Sequence, residues 1–402
     1  LGVTGMNTPV YWGIYITNFV FFIGISHAGT LISAILRVFR AEWRRPITRA
    51  AEAITVFALI LGASNIIIDI GRPDRALNMI IYGRFQSPLL WDVTSITIYL
   101  TASITYLYLP LIPDLALLRD RPNLAPWRRW LYSKLALGWT GNELQKHRLE
   151  RAITIMAVLI IPIAVSVHTV VSWVFAMTIQ PMWHSTIFGP YFVVGAIFSG
   201  IASIIIVMAI IRRVFHLEEY LTPRHFNNLG LLLLVMSLFW FYFTFSEYLT
   251  EFYGGEPAGM SVFTAKLLGE FFPLFWTMVA FNFVIPFIIL VNPRTRTIAG
   301  TVAVSILVNI GMWLERFTIV VPTLTRPRLP YGWGIYRPTW VEISILIGCF
   351  ALFAFLYVLF AKVFPIISIW EVREGRERER LAVPEGIVPE GVAPAGAPAK
   401  SP

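Results

Sequence analysis

Nine apolar stretches, each 21–27 residues long, follow one another along this sequence. A helix rises 1.5 Å per residue, so a stretch of that length crosses the roughly 30 Å hydrocarbon core of a bilayer. Lipid offers no partner to open backbone groups, so segments at that depth must be helical. We therefore predict an all-α polytopic membrane protein with these spans: Val10–Leu36, Ala50–Ile70, Leu89–Leu109, Ala152–Ala176, Tyr191–Ile211, Leu229–Phe252, Leu267–Val291, Ile298–Val321 and Trp340–Ala361.

Composition agrees with that interpretation. Of the 402 residues, 57% are hydrophobic and 14% are charged, whereas a soluble domain carries about 25% charged residues. The net charge of +9 would suit a nucleic-acid partner, but the basic residues gather beside the spans, so we expect none. The single cysteine, Cys349, lies in the last span. The chain alone therefore has no disulfide framework and no cysteine-ligated zinc or iron–sulfur site.

Basic residues concentrate in every second connection between spans. They follow span 1 (Arg37, Arg40, Arg44, Arg45, Arg49), span 3 (Arg119, Arg121, Arg128, Arg129, Lys134, Lys146, Arg148), span 5 (Arg212, Arg213, Arg224) and span 7 (Arg294, Arg296). The positive-inside rule then places these connections in the cytoplasm of a bacterial inner membrane. Because the chain starts at Leu1 rather than Met, we expect a segment upstream, with a further helix as one form of it.

The C-terminal segment 371–402 differs from the rest of the chain. It begins with a charged stretch and continues with proline, glycine and alanine. Such a composition buries too little apolar area to fold alone. We expect a cytoplasmic, mostly extended tail that lies along a partner.

Ionisable side chains inside a span are unfavourable in hydrocarbon and are functional candidates by default. Those that we single out are His27, Asp69, Asp92, His168, Glu247, Glu251, Glu270, Glu315, Arg316 and Glu342.

Five polar residues are expected together at the outer ends of spans 2 to 4: Asp69, Arg72, Trp91, Asp92 and His168. Ser172 and Trp173 follow His168 one turn closer to water. The alternative interpretation is an aspartate–arginine pair that caps helix ends, with tryptophan in the interfacial belt.

His27 is expected in the cytoplasmic half, because it lies 17 residues, or roughly 25 Å of helix, beyond Val10. It is either a buried histidine bonded to a nearby hydroxyl or part of a proton relay. Since we expect His27 and His168 at opposite depths, a haem held between two histidines is disfavoured. In spans 6 and 8, Glu247, Glu251, Glu315 and Arg316 either relay protons or pair locally.

Several segments resemble the NrfD/polysulfide reductase family of membrane subunits. They are Gly5–Gly13, Gly24–Ala34, Gly71–Pro73, Ser87–Asp92, Ile112–Asp120 and Trp183–Phe192. Within the family, the chain is most similar to the quinol-oxidising subunit of alternative complex III, called ActC, with the paralogue ActF as second choice. Asp69 stands where many ActC-like sequences have histidine, which weakens the choice between the two.

The resemblance implies two four-helix bundles, at residues 1–176 with a cytoplasmic loop 111–150 and at residues 177–321. A peripheral helix within 322–370 and the tail would complete the chain. The implied function is oxidation of a quinol, plausibly menaquinol, near the periplasmic face. The implied partners are an iron–sulfur subunit on that face, a paralogous membrane subunit, multihaem cytochrome c and lipid. No haem or cluster is expected in this chain.

On this interpretation, quinol chemistry belongs to the outer cluster. We expect Asp69, His168 and Asp92 to be catalytic. The expected quinol-binding residues are Arg72, Trp91, Asn65, Ser172 and Trp173, and the expected proton path comprises His27, Glu247, Glu251, Glu315 and Arg316. Two alternatives stay open. One is an ActF-like subunit that conducts protons without binding quinol, and the other is a secondary transporter.

Overall fold

The computed structural model describes residues 9–382, without the side chains at positions 28, 30, 31, 42 and 376–382. Its main elements are helices: α1 (Ile14–Val38), α2 (Thr48–Asp69), α3 (Asn78–Ile81), α4 (Pro88–Tyr108), α5 (Leu111–Arg119), α6 (Pro126–Leu135), α7 (Glu143–Ala176), α8 (Phe188–Val214), α9 (Pro223–Gly254), α10 (Pro257–Leu267), α11 (Phe272–Val279), α12 (Ile285–Val291), α13 (Ile298–Thr325), α14 (Trp340–Val363) and α15 (Ile369–Ala382). The predicted all-α fold is confirmed.

Within residues 9–382, eight helical segments are long and apolar enough to cross a membrane. One of them joins α11 and α12 through a π-helical turn at Ala280–Val284. Pro286, which has no N–H to donate, follows that turn, and Ser237 Oγ donates to the carbonyl of Asn282 within it at 2.6 Å. The pair α4 and α5, bent by 43°, makes a ninth span if it crosses as one unit. The count agrees with the prediction.

Helix contacts divide the spans into two neighbouring groups. Helices α1, α2, α4 and α7 pack on one another, and α8, α9, α11, α12 and α13 do the same. Helix α1 also packs on α8 and α13, so it joins the two groups. The close approach of α1 to α2 depends on Gly29, because a Cβ there would overlap the carbonyl oxygen of Ala51. Helix α14 lies against α2 and α1.

Two of the predicted intramembrane carboxylates have structural positions at helix ends. Glu342 forms a capping box with Thr339 at the start of α14, and it also accepts a hydrogen bond from the hydroxyl of Tyr336. Glu270 lies in the exposed turn between α10 and α11 and pairs with Arg326 at 3.0 Å. Placing Glu270 inside a span was therefore wrong.

The segment after the last span is helical over Ile369–Ala382, so the prediction of an extended tail is wrong there. Asp114 accepts hydrogen bonds from the backbone N–H groups of Ile369 at 3.0 Å and Trp370 at 2.9 Å, which caps the first turn of α15. Glu371 pairs with Arg37 and Arg44. These partners come from the chain itself, and composition does not reveal them. Residues 1–8 and 383–402 lie outside the described residues.

Candidate functional site

The helix bundle has two ends, the basic face and the opposite face. The basic face carries Arg37, Arg44, Arg45 and Arg49, around the connection from α1 to α2. The opposite face is the end where α2 finishes at Asp69.

A pair of histidines lies in the interior between α1 and α7. The rings of His27 and His168 are fully buried, and their centroids are 4.3 Å apart with an interplanar angle of 65°. The prediction that they sit at opposite depths is therefore wrong. Counting residues from the estimated start of each span ignored the tilt and unequal lengths of α1 and α7, which have 25 and 34 residues. The two helices meet at the level of these side chains.

Both ring nitrogens of His27 face backbone carbonyls. Nδ1 lies 2.9 Å from the oxygen of Ile23 and Nε2 lies 2.6 Å from the oxygen of Ala164. A neutral imidazole carries hydrogen on one nitrogen and donates to one of these two carbonyls, and uptake of a second proton lets it donate to both. A histidine that ligates a metal keeps one nitrogen for the metal, whereas neither nitrogen of His27 is free to do so. The argument against a bis-histidine haem thus rests on these contacts rather than on depth.

The second histidine of the pair, His168, lies next to the ring of Phe192, which also contacts a buried ion pair. Neither of its ring nitrogens has a hydrogen-bond partner among the described residues, and its ring centroid is 6.2 Å from that of Phe192. The guanidinium of Arg316 lies over the same phenylalanine ring, 4.7 Å from its centroid. Gly195 leaves room for it, since a Cβ there would lie 2.5 Å from Arg316 Nη2.

Local pairing, one of the two interpretations of Glu315 and Arg316, is present in the structure. Their charged groups approach to 3.1 Å, and both side chains are buried. Trp240 Nε1 donates to Glu315 at 2.9 Å. Pairing and hydrogen bonding make two charges tolerable in a region of low dielectric. This local pairing does not conflict with a proton-path role, which stays a prediction.

A second polar group lies beyond the ion pair, toward the opposite face. Glu247 is buried and accepts a hydrogen bond from Ser185 Oγ at 2.5 Å. It lines a cavity of about 20 Å³ together with Lys266 of α10. Burial lowers the pKa of Lys266 to about 8, against the attraction of Glu247 and Glu251. The cavity has room for about one water molecule between side chains that can exchange protons.

Two acidic side chains lie at the opposite face with oxygen atoms that have no partner among the described residues. Asp69 ends α2, and Asp92 is buried in the second turn of α4 with 5% of its surface exposed. One turn before Asp69, the buried Asn65 contacts Cys349 of α14 at 3.4 Å.

The predicted outer cluster is not assembled as a unit. His168 belongs to the interior group described above. Arg72 is exposed and pairs with Asp74 at 3.1 Å rather than with Asp69 or Asp92. Trp91 Nε1 donates to the carbonyl of Phe85 at 2.6 Å, in the connection before α4. The expectation of one polar cluster at the outer ends of spans 2 to 4 fails because side-chain direction cannot be read from depth alone.

Ser172 and Trp173 also lie in different surroundings, although they are adjacent in the chain. Ser172 is fully buried and donates to the carbonyl of Thr169 at 2.6 Å, while Trp173 is 39% exposed. Consecutive residues on a helix point about 100° apart, so one side chain faces the bundle and the other faces outward. Ser172 and Trp173, both predicted to bind quinol, therefore face different directions.

Sequence reasoning missed several buried charged groups, among them Glu52, Asp114 and Lys266. Glu52 is 2% exposed and lies inside the predicted second span, so the same criterion that selected the other residues applies to it. Asp114 falls in a predicted loop, and Lys266 stands just before a predicted span. No local signal marks either as buried. Among residues 9–382, no three or more histidine, cysteine, aspartate or glutamate side chains form a metal-binding group.

Comparison with known proteins gives the family. Residues 2–328 match the family described as polysulphide reductase, NrfD. The chain is 25% identical to a putative dimethyl sulfoxide reductase membrane subunit of Halobacterium salinarum over 387 residues, which cover 90% of this chain and 85% of that protein. It is 24% identical to the Hdr-like menaquinol oxidoreductase integral membrane subunit of Archaeoglobus fulgidus, over 93% of this chain and 89% of the relative.

A third relative is a selenate reductase subunit of Mesobacillus selenatarsenatis, 22% identical over 89% of this chain and 86% of that protein. All three names describe subunits of oxidoreductases. The family match extends over α1 to α13 and thus over most of the described spans. This multi-span membrane protein therefore belongs to the polysulphide reductase NrfD family.

Proposed function

We propose that this chain is the quinol-oxidising membrane subunit of an electron-transfer complex, and specifically of alternative complex III. Menaquinol binds near the opposite face, which is periplasmic, and an iron–sulfur subunit on that face accepts its electrons. A paralogous membrane subunit and multihaem cytochrome c complete the proposed assembly. The chain also conducts protons through its interior. The basic face, with the start of α15, is cytoplasmic in this orientation.

The observation that carries the quinol proposal is the pair of aspartates at the opposite face. Asp69 and Asp92 each keep an enclosed carboxylate oxygen without a hydrogen-bond partner among the described residues. Unpartnered buried polar atoms are unfavourable, so they favour a ligand that supplies donors. A quinol has two hydroxyl groups that donate hydrogen bonds. The name of the Archaeoglobus relative, a menaquinol oxidoreductase subunit, supports the choice of menaquinol.

In the proposed quinol oxidation, this chain accepts the protons and the iron–sulfur partner accepts the electrons. Oxidation of a quinol to a quinone releases two electrons and two protons. The electrons pass to the iron–sulfur partner. A general base must lie within about 2.6–3.2 Å of the hydroxyl whose proton it accepts, and Asp69 and Asp92 are the proposed bases. Protons leave from there to the periplasm, so turnover by itself builds a proton gradient.

We propose changed roles for the other predicted site residues, because of where their side chains lie. Asn65 stays in the proposed site because it is buried one turn from Asp69. Arg72 and Trp173 are removed from it because one pairs with Asp74 and the other faces outward. We propose that His168 acts with His27 in proton transfer rather than as a base for the quinol.

The test is menaquinol oxidation by the intact complex in native membranes. Asp69→Asn and Asp92→Asn should each lower the rate about 100-fold or more, because general-base catalysis contributes that much. Asp74→Asn is the matched control, since it removes an exposed carboxylate from the same connection. Immunoblots of the membranes check assembly. Normal turnover in both Asp69→Asn and Asp92→Asn would remove the proposed site.

A second candidate is an ActF-like subunit that conducts protons without binding quinol. The specific observation in its favour is the interior series of titratable groups from His27 and His168 through Arg316 and Glu315 to Glu247. Photolabelling with an azidoquinone distinguishes the candidates. Label in this chain near α2 and α4 supports quinol oxidation here, and label confined to another membrane subunit supports the second candidate.

A further inference from the structure

A buried carboxylate that none of the roles above uses lies near the basic face. Glu52 is in the second turn of α2 and is 2% exposed. Its Oε1 accepts a hydrogen bond from Ser33 Oγ of α1 at 2.7 Å. Its Oε2 has no hydrogen-bond partner among the described residues. The Ser33 hydroxyl is also 3.3 Å from the hydroxyl of Tyr106 on α4.

A second polar level lies about two helical turns further into the bundle. Ser26 precedes Ser33 by seven residues on α1, and Tyr99 precedes Tyr106 by seven residues on α4. Seven residues are close to two turns, or about 10 Å, so each pair lies on one face of its helix. Tyr99 donates to the carbonyl of Ser26 at 3.1 Å.

Helix α2 contributes to the same region. Thr55 lies one turn beyond Glu52 and donates to the carbonyl of Ser26 at 2.7 Å. The second level then reaches the histidine pair. The Ser26 hydroxyl is 3.5 Å from Nδ1 of His27, and the ring of Tyr99 is 5.2 Å from the ring of His27. Three helices thus present hydroxyl groups between the carboxylate of Glu52 and His27.

Charged groups of three elements face Glu52: Glu371 of α15, Arg37 of α1 and Arg49 of α2. Arg37 is paired with Glu371, and Arg49 is paired with Asp114 at 2.5 Å. The two arginines are thus neutralised by other carboxylates, which leaves Glu52 without an ion-pair partner of its own among the described residues. A cavity of about 250 Å³ around the start of α15 is lined by Arg37, Arg40 and Glu371, so two of the charged groups around Glu52 also line this cavity.

We infer that Glu52 is the proton-loading group at the basic face, and that it delivers protons through the hydroxyl groups of Ser33, Tyr106, Thr55 and Tyr99 to His27. The inference rests on the proton-conducting part of the proposed function. Oε2 takes a proton from water of the basic face and forms an O–H bond. Each hydroxyl then accepts one proton and releases one, so that the side chains return to their starting states. The histidine pair receives the proton and passes it toward the carboxylates of Glu315 and Glu247, while Arg316 stays a cation paired with Glu315.

The test uses the intact complex in inverted membrane vesicles, whose outer surface is the basic face in the proposed orientation. A pH-indicating dye outside the vesicles records protons taken up per electron during menaquinol oxidation. Glu52→Gln keeps the acceptor for Ser33 but cannot bind the proton, so uptake should fall at least tenfold. Glu52→Asp should restore part of it. Glu143→Gln is the matched control, because Glu143 is an exposed carboxylate at the same face.

Each outcome has one meaning. Uptake in Glu52→Gln equal to the wild type overturns the inference and leaves quinol oxidation standing. A wild-type complex that oxidises menaquinol without proton uptake at the basic face overturns proton conduction together with the inference. Absence of menaquinol oxidation in the wild type overturns the proposed function as a whole. An independent spectroscopic check is the carboxylic C=O band in redox-difference infrared spectra, which should lose a component in Glu52→Gln but not in Glu143→Gln.

Discussion

The rings of His27 and His168 pack edge to face with centroids 4.3 Å apart, although one lies in α1 and the other in α7. The contact is reinforced by the carbonyl of Ala164, one turn before His168, which lies 2.6 Å from Nε2 of His27. Two imidazoles in contact form a centre that can hold and pass a proton. In the proposed path, this centre lies between the carboxylate of Glu52 and the Glu315–Arg316 pair. It therefore connects the part of the path near the basic face with the part near the opposite face.

Replacing His27 with phenylalanine tests this centre. His27→Phe keeps a ring of similar shape but loses both contacts with carbonyls, and each hydrogen bond contributes about 0.5–1.5 kcal/mol. We expect a modest fall in the midpoint of thermal unfolding and a loss of proton uptake. His147→Phe at the exposed start of α7 is the control. Unchanged proton uptake in His27→Phe would show that the histidine pair is only a packing contact.

The Glu315–Arg316 pair should behave as a unit. Arg316→Met leaves the buried carboxylate uncompensated and should destabilise the protein by about 3–5 kcal/mol. The double variant Glu315→Gln with Arg316→Met removes both charges and should recover much of that loss. Thermal unfolding of the detergent-solubilised complex measures both. Equal destabilisation by the single and the double variant would contradict the coupling.

Two helical glycines should respond oppositely to alanine. A Cβ at Gly29 overlaps the backbone carbonyl of Ala51, so Gly29→Ala must force α1 away from α2. We expect little assembled protein in the membrane. Gly348 of α14 has nothing within 4 Å of such a Cβ, and Gly348→Ala should assemble normally. The amount of each variant in the membrane measures the effect, and equal amounts would rule out close α1–α2 packing at Gly29.

Asp114 should control the docking of α15. Asp114→Ala removes the acceptor for the first two backbone N–H groups of α15 and leaves Arg49 without its partner. We expect α15 to become sensitive to added protease in inverted vesicles and stability to fall by about 3 kcal/mol or more. Asp120→Ala at the exposed end of the same segment is the control, since Asp120 pairs with Arg119 at the surface. Equal protection of α15 in both variants would contradict the capping role.

Lys266 gives a prediction for the dependence of stability on pH. Burial lowers its pKa from the ordinary value of 10.5 to about 8. Between these values the unfolded chain binds more protons at this site than the folded protein does, so stability should rise with pH from about 8 to about 10.5. Lys266→Met should lack that rise. The difference between the two unfolding midpoints across this interval is the measurement, and parallel curves would contradict burial of a titrating lysine.

The membrane spans of this protein could be predicted from its sequence, whereas the role of some buried residues could not. The apolar runs predicted the spans, because length and hydrophobicity suffice where lipid is the solvent. Local pairing of Glu315 with Arg316 was one of two interpretations of the sequence, and the structure shows that pair. Glu52 was missed although it lay within a predicted span. Its importance depends on Ser33 and Tyr106, which come from two other helices.

The sequence by itself determined that the chain crosses the membrane, which segments cross, and which side chains are unfavourable in hydrocarbon. Those properties follow from the free energy of transferring each residue from water to lipid, which is local. Only the tertiary structure decided that His27 meets His168, that Arg72 turns to Asp74, and that the start of the tail folds onto Asp114 and Arg37. Helix rotation, tilt and relative height decide such contacts. The packing of all the spans together sets rotation, tilt and height. For example, α2 can approach α1 closely because Gly29 has no side chain.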